Sequence, residues 1–153
     1  MKKLLLLVLV MFAALSSGTG AYAAVYEFKE FASHGFSIDV PDGWFVNEDK
    51  FSNKFDLNSP DGAIIIGRMG GSELITFLYT SQEAMFSPTF ATAVANSLRG
   101  SAPVENGRGD FEFTFIQDGI EIDARTRHIG HLGIVMESRS GFDDILAVLE
   151  TLL

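Results

Sequence analysis

The chain has 153 residues, with 20 acidic against 11 basic side chains, a net charge of −9, and no cysteine. That balance opposes binding to phosphate backbones and to anionic lipid faces, so nucleic acid is not an expected partner. Without cysteine there is no disulfide, no thiol nucleophile and no lipoprotein attachment point, and stability has to come from burial.

The first residues read as an address. Met1-Lys2-Lys3 is a short basic region, and residues 4–15 are an unbroken apolar run too short for a comfortable membrane span. Ala21-Tyr22-Ala23 fits the small-residue cleavage pattern of a secretory signal peptide. Residues 1–23 are therefore expected to be a signal peptide cut after Ala23, with an uncleaved anchor as the alternative. Residues 24–153 would form one domain, periplasmic or secreted, with no membrane association after cleavage. Loss of Lys2 and Lys3 leaves nine basic against 20 acidic residues, a net charge near −11, and thirteen phenylalanines remain to fill a core.

Residues 24–32 suggest a first strand, and Ser33-His34-Gly35 a turn. Phe36, Ile38 and Val40 alternate with Ser37 and Asp39, as in a half-buried strand. Pro41 lacks an N–H and should end the pairing. Asp42-Gly43 suits a tight turn, after which Trp44 and Val46 resume the alternation. Residues 47–53 are polar and read as a loop. Residues 54–57 alternate and, across the turn chemistry of Asn58-Ser59-Pro60-Asp61-Gly62, pair in expectation with Ala63-Ile64-Ile65-Ile66. This run is apolar on both sides, as in a central strand. Residues 73–80 are ambiguous in period, but their β-branched and aromatic residues favour a strand.

A helix follows. Ser87 suits its N-cap, Pro88 its first turn, and Phe90, Val94 and Leu98 form one stripe with Ala91 and Ala95 beside it. Gly100 is the expected C′ stop. Phe111, Phe113 and Phe115 then alternate with polar residues up to Asp118-Gly119, the strongest short-range hairpin signal. A two-residue turn places Phe115 opposite Ile122, Phe113 opposite Ala124, Glu112 opposite Arg125 and Asp110 opposite Arg127. Gly130-His131 bends the chain again, and residues 132–138 form a last strand. Ser140 is the expected cap of a final helix, with Asp143 as a capping-box acid. Phe142, Ile145, Leu146 and Leu149 give its apolar stripe, extended by Leu152 or Leu153 to the chain end. Hairpin links dominate this order. The fold class is α+β: a mostly antiparallel sheet of six or seven strands with two main helices packed on it, an α/β/α sandwich.

Chemistry-bearing patterns are sparse. His34, His128 and His131 are the three histidines. His128 and His131 flank Ile129-Gly130 near a strand tip, and even with Asp123 or Glu121 to help they fall short of a four-ligand zinc site; exposed turn histidines explain them. No Gly-x-Ser-x-Gly elbow precedes an Asp and a His. Gly67-Arg68-Met69-Gly70-Gly71 lacks the Gly-x-x-x-x-Gly-Lys of a phosphate loop. No catalytic, cofactor-binding or metal-ligating residue is assigned, and no cofactor is expected. Arg125, Arg127, His128 and Arg139 are a small basic concentration in an acidic chain. Arg125, Arg127, His128 and His131 are the expected partner or ligand surface, although cross-strand pairing already accounts for both arginines. Trp44 at a strand start either seals the core or lines a pocket mouth; sealing is expected.

Phe36-Ser37-Ile38-Asp39-Val40-Pro41-Asp42-Gly43-Trp44 resembles the opening of PsbP-like and DcrB-like proteins. The Ser59-Pro60-Asp61-Gly62 turn, the isoleucine strand, the mid-chain helix and the terminal Asp143-Asp144-Ile145-Leu146 helix agree in order. The resemblance implies an α/β/α sandwich around an antiparallel sheet, in mostly non-enzymatic proteins that dock onto partners. It brings no catalytic motif. The expected function is thus an exported, non-enzymatic binding or accessory module with a protein partner in the cell envelope. The alternatives are a hydrolase with an unrecognised site, or a metal- or anion-binding protein using the Arg125–His131 region.

Overall fold

The structure is a computed structural model that describes residues 26–49, 55, 62–68, 70, 72–79 and 88–153. The expected signal peptide (residues 1–23), the expected Ser87 cap and most of residues 54–61 lie outside them. Among the described residues nine strands form: β1 (Tyr26–Phe31), β2 (Phe36–Pro41), β3 (Trp44–Asp49), β4 (Gly62–Arg68), β5 (Glu73–Tyr79), β6 (Val104–Glu105), β7 (Phe111–Gln117), β8 (Ile120–Ile129) and β9 (Leu132–Ser138). The helices are α1 (Pro88–Ser97) and α2 (Asp143–Leu149). A 3-10 turn at Ala32–His34 joins β1 to β2.

Seven strands make one antiparallel sheet in the order β3-β4-β5-β9-β8-β7-β6, and β1 and β2 pair as a separate hairpin. The fold is α+β, as the strand and helix patterns imply. Every residue of β9 is buried, because the strand lies at the sheet centre with both faces covered. On one face Ile64, Ile66, Ile75, Phe77, Ile134 and Met136 pack against Phe36, Ile38 and Val40 of the β1–β2 hairpin and Ile145, Val148 and Leu149 of α2. On the other, Ala63, Leu78, Phe113, Phe115, Ile122 and Val135 pack against Phe90, Val94 and Ala95 of α1, with buried Phe55. Each fully buried residue of this size contributes about 1.5–3 kcal/mol. One face is therefore shared by a helix and a hairpin, the other held by a helix.

The β7–β8 register is the one its turn demands: Phe115 opposes Ile122, Phe113 opposes Ala124 and Glu112 opposes Arg125. Asp118 and Gly119 both have positive φ (53° and 76°), as a two-residue hairpin turn with the twist of its strands requires.

Several local expectations give way to tertiary pairing. Residues 47–49 continue β3 instead of opening a loop, because Asp49 still finds a partner in Ala63. The partners of β4 are β3 and β5, so no edge of it is left for residues 54–57. At the end of α1 the left-handed C′ position belongs to Arg99 (φ 54°), not Gly100. Gly100 N–H donates to the Ala95 carbonyl at 2.8 Å and Arg99 N–H to that of Asn96 at 3.1 Å, the paired bonds of a Schellman end. Gly100 is needed for another reason: a Cβ there would lie 2.8 Å from both Phe113 Cδ2 and Thr114 O. Ser140 does not cap α2. Phe142 holds the N-cap without a side-chain bond, and Ser140 Oγ donates instead to Glu73 Oε1 at 3.1 Å. Nor does α2 run to the chain end. The chain unwinds after Leu149, and Leu153 exchanges two backbone hydrogen bonds with Ser37, each 3.0 Å.

Candidate functional site

At the sheet end where β5 stops at Tyr79 and β9 starts at Leu132, three separate segments leave a gap. The first is the 3-10 turn with Gly35, whose positive φ of 73° lets β2 fold back on β1. The second is the β8–β9 turn, with Ile129 and His131. The third is the C-terminal segment, Leu149, Leu152 and Leu153. They enclose a cleft of about 500 Å³. Small-molecule sites typically span about 300–1,000 Å³.

The wall behind the cleft is aromatic. Phe36 lies between Phe31 (ring centroids 5.0 Å apart) and Phe77 (4.9 Å, stacked). Tyr79, half-buried, has the His34 ring edge-on at 5.8 Å and the His131 ring at 6.3 Å. Ser33 Oγ lies 2.9 Å from His34 Nδ1. The third wall is anchored at two points: Leu153 on Ser37, and Thr151 Oγ1, which accepts from Asp39 N–H at 2.9 Å and donates to the Val148 carbonyl at 2.7 Å.

The expected surface of Arg125, Arg127, His128 and His131 is divided by the pleat. Arg125 and Arg127 point to the α2 face, opposite Met136 and Ile134. Arg127 holds buried Asp110 with two bonds, Nε to Oδ1 at 2.7 Å and Nη2 to Oδ2 at 2.8 Å. That bidentate bond raises the Arg127 pKa above its ordinary value, against the lowering effect of burial. Arg125 stacks its guanidinium over Phe142 at 4.3 Å and sets Nε 2.9 Å from Glu112 Oε1, a close ionic contact not aligned as a hydrogen bond. His128 lies on the α1 side with Thr126 and Ala124, whereas His131 joins Tyr79 in the cleft. Of the four residues, His131 alone lines the cleft.

A metal centre would need converging ligands, and among the described residues no group of three or more His, Cys, Asp or Glu forms one. Ser33 and His34 present a hydroxyl on an imidazole, the start of a nucleophile–base pair, but no Asp or Glu among the described lining residues orients that imidazole. Trp44 packs on the core edge and also walls two smaller clefts, of about 420 and 350 Å³, at the far end of the sheet. Arg68 stands 5.7 Å over its ring and bridges Glu73 (2.9 Å) and Asp144 (2.6 Å). As parts of the cleft, sequence reasoning missed the Ser33-His34 turn and the apolar lining, among it Phe36, Tyr79, Leu149 and Leu152. Each reads locally as core, and the one usable signal was two further leucines after the helix stripe.

Fold and site together define an α+β sandwich protein with a ligand-sized apolar cleft at one sheet end. Among the described residues no helix is long and apolar enough to cross a membrane. No family model matches the chain, and no curated protein does. Among solved structures it is similar to cyanobacterial PsbP (CyanoP) from Synechocystis sp. PCC 6803. Identity is 11%, coverage 88% of this chain and 95% of that one, and the TM-score 0.49. A likeness at that level assigns no role, since one fold serves many functions.

Proposed function

We propose that the protein is an exported, non-enzymatic binding or accessory module, cut after Ala23, that engages a partner in the cell envelope through the cleft between Tyr79, His131 and the C-terminal segment. The observation behind this reading is the cleft itself: a concavity of about 500 Å³, walled by apolar side chains and edged by two imidazoles and a phenol. Concave, mostly apolar sites with a few convergent polar groups are where small ligands and anchoring side chains bind. Of the Arg125–His131 segment, Ile129 and His131 belong to this surface. Arg125 and Arg127 serve the sheet.

A photo-crosslinking residue placed at Ile129, which is 50% exposed, tests the reading in native envelopes. The expected result is a discrete crosslinked species that disappears when Leu152→Trp fills the cleft. The same probe at Asp123, at the opposite sheet end, should yield none. Equal yields at both positions, or a crosslink indifferent to Leu152→Trp, would sink it. Labelling by a fluorophosphonate that Ser33→Ala abolishes would replace it with the hydrolase alternative.

A further inference from the structure

We infer that the cleft takes an amphipathic carboxylate, with its hydrocarbon body among Phe36, Leu132, Leu149 and Leu152 and its carboxylate against His34 and His131. This rests on reading the cleft as a binding site, and adds the chemistry of what enters it.

The polar groups of the cleft are not scattered. Ser33, His34 and His131 gather around Tyr79, with both imidazole rings within 6.3 Å of its centroid. The leucines, Phe36 and Ile129 make up the remaining lining. A cleft with one polar cluster in an otherwise apolar lining selects a ligand with a polar head and an apolar body. Imidazole N–H and phenol O–H groups can donate, which suits an accepting head. Ser33 occupies Nδ1 of His34, and Nε2 is the nitrogen left for a ligand to reach.

Charge narrows the head further. In a chain with 20 acidic residues, no Asp, Glu, Lys or Arg is among the described residues lining this cleft. An anionic head therefore meets no side-chain carboxylate among these lining residues, and the Leu153 main-chain oxygen at the cleft edge accepts from Ser37 N–H at 3.0 Å. The acids elsewhere on the surface are screened beyond about 8 Å at physiological salt. Direct contact with an imidazolium or imidazole N–H acts at hydrogen-bond range, where charge-assisted bonds are strongest.

Calorimetric titration of the exported chain with three probes tests this: decanoate, butyrate with the same head, and decyltrimethylammonium with the same chain and opposite charge. Decanoate should bind. Butyrate should be weaker by roughly 100-fold or more, having lost most of the buried methylenes. Decyltrimethylammonium should be weaker by about tenfold or more. His34→Ala with His131→Ala should weaken decanoate by about tenfold and leave decyltrimethylammonium unchanged. Leu152→Trp should abolish decanoate binding. If that variant does not fold, Ile129→Asp at the exposed rim stands in for it and should weaken decanoate by about tenfold. Equal or tighter binding of the cationic probe overturns the head-group assignment. Decanoate binding that ignores Leu152→Trp or Ile129→Asp, or no binding by any probe, overturns the inference. A cleft-dependent crosslink at Ile129 with no decanoate binding would leave the binding-module reading standing and reject only this ligand class.

Discussion

Arg127 reaches across the β7–β8 pair to Asp110 and holds both carboxylate oxygens, at 2.7 and 2.8 Å, with the Asp110 side chain 2% exposed. The pair closes the end of the hairpin farthest from its turn. Removing one partner strands the other, and a buried unpaired carboxylate is far costlier than the intact pair is beneficial.

Arg127→Met should therefore destabilise the fold by about 3 kcal/mol, while Asp110→Leu with Arg127→Met together should cost distinctly less. Urea unfolding of the four proteins of this cycle measures both. The sign with pH follows from the raised guanidinium pKa. A group whose folded pKa is raised contributes stability that is fully present below its unfolded pKa and lost only above the folded one. For an arginine that window lies beyond ordinary alkaline conditions. The Arg127→Met difference should stay flat from about pH 7 to 10. A difference that shrinks over this interval would refute the assignment.

Gly100 and Arg99 should respond in opposite directions. Gly100→Ala drives a Cβ to 2.8 Å from Phe113 Cδ2 and the Thr114 carbonyl, and should cost about 1–3 kcal/mol by overpacking. Arg99→Gly removes the penalty of a left-handed non-glycine residue at φ 54° and should stabilise by about 1 kcal/mol. Thermal melts of the two variants separate close approach from backbone strain at this helix end.

Thr151→Val removes the acceptor for Asp39 N–H and should cost about 1 kcal/mol. The larger effect should be local. Leu152 and Leu153 wall the cleft and are held next to this bond, so amide exchange at Asp39 and Ser37 should accelerate more than exchange in β9. Uniform acceleration across the protein would show that the C-terminal segment does not open separately.

Thr76 is 2% exposed in β5, and its hydroxyl has no hydrogen-bond partner among the described residues. Thr76→Val keeps the shape and removes the unsatisfied group, so it should be neutral or stabilise by up to about 2 kcal/mol. A loss of more than about 1 kcal/mol in chemical denaturation would mean the hydroxyl is satisfied in solution.

The candidate site was barely legible in the sequence. Its residues come from five separated stretches: residues 32–36, Tyr79, residues 129–132, Leu149 and residues 152–153. Each stretch looks like an ordinary turn, strand end or helix stripe. The Arg125–His131 segment drew attention because its charges are close in sequence. In a strand that closeness is misleading, because neighbouring side chains leave opposite faces. His128 and His131 part for a further reason: the first is on a face of β8, the second in the turn beyond it.

The sequence by itself determined whatever is encoded within a few residues. The Asp118-Gly119 turn sets the whole β7–β8 register, down to the Glu112–Arg125 and Asp110–Arg127 charge pairs, because a two-residue loop allows one alignment. The stripe of Phe90, Val94 and Ala95 likewise marks α1 and the side it buries. Only the tertiary structure decided which strands become neighbours. Residues 44–46 and 54–57 both alternate, yet β4 pairs with the strand that grows from the first, since long-range pairing depends on which edges stay open across the sheet. It also decided that Leu153 leaves the helix for Ser37. The cleft follows from that docking, because an empty space between segments is a property of their arrangement and has no local pattern to announce it.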